Sequence, residues 1–106
     1  MWRIQPASHA FQREFDDLPR DLHSVLIRMI DSLTINGPMQ LGLPHARPLG
    51  DELWELRASA KSGIARLIYV TRPGQRLVLL HAFVKKTKQT PRRSIRIALK
   101  RLREWA

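Results

Sequence analysis

The chain has no cysteine, which excludes a disulfide framework, a thiolate metal centre and a cysteine nucleophile. Acidic residues are scarce, with 9 Asp and Glu against 19 Lys and Arg in 106 residues, a net charge of +10. So few carboxylates leave little room for chemistry built on a pair of acids. No run of eighteen apolar residues occurs, and the opening "MWRIQPASHA" lacks an apolar stretch of signal-peptide length. A soluble, cytoplasmic protein without membrane contact is therefore expected. The four histidines offer no zinc signature, since His9, His23 and His45 stand apart from one another and from carboxylates at ligand spacing. There is no glycine loop to cradle a phosphate and no Ser-His-Asp grouping. Neither metal nor cofactor is expected.

What is present is a foldable chain with a strong field. An apolar fraction of 43% is ordinary for a globular protein, and the length suits one domain spanning residues 1–106. The excess of cations attracts polyanions, with nucleic acid the leading partner class.

Periodicity sets the expected elements. Trp2–Ile4 reads as a short edge strand ended by Pro6. Ser8 is an N-cap for a helix with Phe11, Phe15 and Leu18 on one face. Pro19 opens a second helix with the stripe Leu22, Val25, Leu26, Met29, Ile30 and Leu33, closed by Asn36-Gly37-Pro38. Residues 37–50 hold three Pro and three Gly, so regular structure there is short or absent. Three strands follow, "LWELRA" (53–58), "IARLIYV" (64–70) and "RLVLLHAFV" (76–84), joined by short polar turns into an antiparallel meander. Thr90-Pro91 caps a last helix with Ile95, Ala98, Leu99, Leu102 and Trp105 on its apolar side. The fold class is α+β, with a helical hairpin and a C-terminal helix against a small antiparallel sheet.

A hairpin can cover one face of such a sheet. With Trp54 and Leu56 turned to that core, the period of two sends Glu55 and Arg57 to the other face. Arg66, His81 and Lys85 share that parity. A cationic groove with one carboxylate and one imidazole suits phosphodiester chemistry, because arginines grip a phosphate bidentately and offset transition-state charge. RNA carries its own nucleophile in the 2′-hydroxyl, so the protein need only position the phosphate and move protons. His81 or Glu55 could serve as base, and Lys85 or Lys86 as acid or charge stabiliser. The bland readings are a cross-strand Arg66–Glu55 ion pair and a hydrogen-bonded structural His81. Lys61, Lys88, Arg92, Arg93 and Arg96 form a peripheral basic surface suited to RNA backbone.

The run from Pro48 to Trp105 resembles the phage-related, HigB-like branch of the RelE/ParE toxin superfamily. The motifs are "LWELR", the G-x-x-R-L-x-Y of Gly63 to Tyr69, "LLHAFVKKTKQTP" (79–91) and the closing amphipathic helix. The resemblance implies a RelE-like fold and the toxin of a type II toxin–antitoxin pair. It further implies metal-independent, ribosome-dependent cleavage of mRNA, and a small antitoxin, often of helix-turn-helix type. Arg57 and Arg66 match the family's strand arginines, and Lys85 with Lys86 its basic pair. Where the RelE type places a helical Tyr near the scissile phosphate, this chain has Ile95. The alternatives are a ParE-like toxin directed at gyrase and a non-catalytic nucleic-acid-binding module.

Overall fold

The computed structural model describes residues 1–38, 46–85 and 89–105. Among these the chain runs β1 (Arg3–Pro6), α1 (His9–Asp16), α2 (Arg20–Asn36), β2 (Ala46–Gly50), β3 (Leu53–Ala60), β4 (Gly63–Arg72), β5 (Arg76–Val84) and α3 (Arg92–Trp105). The five strands form one sheet in the order β1-β5-β4-β3-β2, antiparallel except where β1 lies parallel to β5. This is the α+β, RelE-like arrangement, with helices at both ends of the chain.

Local chemistry accounts for the hairpin. The Ser8 side chain accepts a hydrogen bond from Phe11 N at 3.1 Å and starts α1. Gly37 stops α2 with φ +80° and ψ 165°, a region open essentially to glycine. A Cβ there would stand 2.9 Å from Trp2 Nε1, so the residue also lets the N-terminus pack close. One apolar stripe runs along α1 and α2 (Phe11, Phe15, Leu22, Leu26, Leu33). It packs on Leu56, Ala58, Ala65, Leu67, Tyr69, Leu77 and Leu79 of the sheet. α3 covers part of the opposite face, where Ala98, Ile95, Leu99, Leu102 and Trp105 meet Ile68, Val70, Val78 and Leu80. The sheet is thus sandwiched, and the uncovered part of the α3 side is left for charge.

Residues 46–50 form a short strand, as much regular structure as their Pro and Gly were expected to allow, because Asp51 and Glu52 take positive φ (52° and 70°) and fold β2 back onto β3. Two expectations need correcting. Trp54 is not core. It is 36% exposed and lines a cavity of about 190 Å³ with Trp2, Pro38 and Thr71 at the end of the sheet, at the margin of the packed hairpin. Thr90 does not spend its hydroxyl on capping α3. Pro91 O accepts the first bonds of that helix, from Ser94 N and Ile95 N, and the Thr90 side chain turns into the sheet.

Candidate phosphate site

The β3–β4 register sets Arg57 opposite Arg66 and Glu55 opposite Ile68. Two guanidinium groups facing each other repel, and the sequence resolves the conflict with Glu55 on the same face. Arg66 and Glu55 are buried, at 2% and 1% exposure, and pair through Nη1 and Oε1 at 2.8 Å. β2 contributes Arg47, whose Nε donates to Glu55 Oε1 at 3.0 Å. The Thr90 hydroxyl closes the cluster. It accepts from Arg66 Nη1 at 2.7 Å and from Arg47 Nη2 at 3.1 Å, and donates to Glu55 Oε2. Its one proton and both lone pairs are then in use.

Glu55 is therefore shared between two arginines and a hydroxyl, and little negative charge remains for the neighbouring cations. Arg57 is half-buried, and its Nε is buried with no hydrogen-bond partner among the described residues. Lys85 extends the β5 ladder by one residue, with its N–H donating to Ile64 O at 2.7 Å. Its ammonium is pushed below the ordinary lysine value, first by desolvation and then by repulsion from Arg66, Arg57 and Arg47, against a smaller pull from Glu55. Four cations thus meet one saturated carboxylate on a single patch of sheet. Such a patch is short of an anion, and a phosphate would supply it.

The structure brings Glu55, Arg57, Arg66 and Lys85 together as the strand parity implies. His81 shares their face, directly opposite Ile68 and stacked on Phe83 at 5.0 Å between ring centroids. Its hydrogen bond, however, belongs to a second network, since Nδ1 lies 2.9 Å from Glu14 Oε1 of α1. Lys61 is exposed on the β3–β4 turn, at the end of the sheet that carries Lys85. Arg92, Arg93 and Arg96 are exposed on the first turns of α3. Lys86 and Lys88 lie outside the described residues. No group of three His, Asp or Glu among the described residues is placed to hold a metal ion.

Sequence reasoning missed Arg47, Thr90, Glu14 and Arg101. Arg47 was legible only by folding the chain at Asp51–Glu52, which brings it against Glu55. Thr90 carried the signature of a helix cap, and Glu14 sat on the polar side of a short amphipathic helix. Nothing local distinguishes either from a solvated residue.

A sandwiched RelE-like sheet with a cationic patch beside its C-terminal helix defines a class of small α+β toxins. The chain belongs to the phage-derived protein Gp49-like family (DUF891), whose model it matches over residues 13–103. It is also similar to two curated proteins, each named "Probable endoribonuclease HigB1", from Mycobacterium tuberculosis strains CDC 1551 / Oshkosh and ATCC 25618 / H37Rv. Each is 30% identical over 95 residues, covering 90% of this chain and 73% of the relative. These matches place it among RelE/HigB-like toxins of toxin–antitoxin systems, and a cognate antitoxin is the partner that class implies. No helix among the described residues is long and apolar enough to cross a membrane.

Proposed function

We propose that this toxin is an endoribonuclease that cuts messenger RNA on the ribosome without a metal ion, acting in the cytoplasm as one unit over residues 1–106. The observation that carries the reading is the buried Arg66–Glu55 pair, joined by Arg47, beside which Arg57 Nε has no hydrogen-bond partner among the described residues and Lys85 meets more repulsion than attraction. Arg57 and Lys85 bind the scissile phosphate, with Arg66 behind them supplying charge. The RNA 2′-oxygen attacks phosphorus and gives its proton to a base, for which His81 is the candidate on this face. The bond from phosphorus to the 5′-oxygen breaks as Lys85 or Lys86 donates a proton to that oxygen, leaving a 2′,3′-cyclic phosphate and a 5′-hydroxyl. Glu55, held by three donors, anchors the arginines instead of taking a proton. Lys61, Lys88, Arg92, Arg93 and Arg96 hold ribosomal or messenger backbone. The family relationship to proteins named as probable endoribonucleases supports this reading, and the antitoxin is proposed to be of helix-turn-helix type.

Induction of the toxin in cells followed by primer extension tests the proposal. Ribosome-bound messages cut at defined codon positions are expected, and Arg57→Ala and Lys85→Ala are expected to lose at least about 10²-fold in cleavage. Neither residue forms part of the buried ion pair, so both variants should fold. Intact messages with an induced DNA-damage response would instead mark a gyrase-directed toxin, and intact messages with neither response a binding module.

A further inference from the structure

β1 accompanies β5 only as far as Leu79, so the outer edge of β5 is open at Leu80–Val84. Two side chains from different helices close it. Glu14 of α1 accepts from Ala82 N at 3.3 Å, and Arg101 of α3 donates from Nη1 to Leu80 O at 2.9 Å. The two join in a forked pair, Arg101 Nη1 to Glu14 Oε1 at 2.7 Å and Nη2 to Oε2 at 3.0 Å. Such a pair fixes the carboxylate plane as well as its charge. Glu14 is thereby aimed at His81 Nδ1, 2.9 Å away.

An ionised carboxylate only accepts hydrogen bonds, so the ring nitrogen facing it must carry the proton. In the neutral imidazole this leaves Nε2 as the nitrogen with a lone pair. The ring is held from its other side by the stack on Phe83, the Cα partner of Arg66. His81 itself pairs with Ile68, two residues along β4 from Arg66, a separation of about 7 Å. Among the described residues, the charged groups tied to the ring are Glu14 from α1 and, through it, Arg101 from α3, while β4 sets the uncharged Ile68 opposite.

We infer that Glu14, locked by Arg101, is a positioning residue that holds His81 with Nε2 as the free base nitrogen for RNA cleavage. The inference rests on the ribonuclease reading above. It assigns the proton acceptor, and it gives the α1 carboxylate a task beyond packing. The carboxylate orients the imidazole and stabilises the imidazolium formed when the 2′-hydroxyl proton is taken up.

Nitrogen-15 NMR of the wild-type chain reads the tautomer without any variant. The expected result is protonated Nδ1 and lone-pair Nε2 in neutral His81, and the opposite tautomer overturns the inference. Ribosome-dependent cleavage by Glu14→Gln supplies the second readout, with folding checked by circular dichroism. Cleavage is expected to fall about 10²-fold or more. A folded Glu14→Gln protein that cuts at the wild-type rate sinks the inference and leaves the ribonuclease reading standing. A wild-type protein that cuts no RNA defeats that reading first, and the inference with it.

Discussion

At Glu55 three donors converge on one buried carboxylate, and the cluster's stability depends on the balance of charge more than on any one bond. A buried ion pair is of uncertain net value, but removing one partner strands the other in low dielectric. Glu55→Ala leaves Arg66 at 2% exposure without its carboxylate, and a loss of about 3–5 kcal/mol is expected. Urea denaturation measures it. The double variant Glu55→Leu/Arg66→Met should recover most of that loss, since an apolar pair of similar volume needs no desolvation. An unchanged urea midpoint for Glu55→Ala would mean that Arg66 finds other compensation. Thr90 adds specificity at this scale, because a hydroxyl can take two arginine donors and still give its own proton to Glu55.

Among the elements, α1 is short at eight residues and could not persist alone. It is fastened to β5 and α3 through Glu14. Burial by itself would raise the Glu14 carboxyl. Hydrogen bonds from His81 and Arg101, the His81 charge and the Ala82 N–H outweigh that and hold it at about 2, against an ordinary 4.5. The folded value lies below the unfolded one, so this contribution is fully present above about 4.5 and is lost as pH falls through about 2. Stability measured between those limits should fall with a steeper slope in the wild type than in Glu14→Gln. Equal slopes would show that the clamp does not form in solution. The same clamp closes the open edge of β5, which would otherwise offer unpaired backbone groups to another chain.

Over the whole molecule, a charge of +10 makes association with RNA dependent on salt. Each phosphate neutralised on a single strand releases counterions and adds about 0.7 to the slope of log affinity against log salt. Arg92, Arg93 and Arg96 are exposed at the start of α3, next to the Thr90 cluster. The helix has no acid in its first turn, so their charge adds to the positive end of the helix dipole. Replacing all three with Ala should lower the slope by about 2 if each meets one phosphate. A fluorescence titration of RNA across a salt series checks this, and an unchanged slope would remove those residues from the RNA surface. The site and this basic strip lie on the α3 side of the sheet, away from the face filled by the hairpin.

Much of this protein was determined by sequence alone, through the physics of short range. The 3.6-residue stripe of α2, the alternation of β3 and the glycine stop at Gly37 dictate the helices, the central strands and the parity that puts Glu55, Arg57 and Arg66 on one face. Only the tertiary structure decided what those charges do. The fold at Asp51–Glu52 brought Arg47 to Glu55 across eight residues, and Thr90 came to the same carboxylate from 35 residues away. Arg101 met Glu14 across 87 residues, a meeting that no local pattern encodes. Periodicity assigns a side chain to a face, but a hydrogen bond needs a partner within about 3 Å, and for residues far apart in the chain that distance exists only once the helices and sheet have packed.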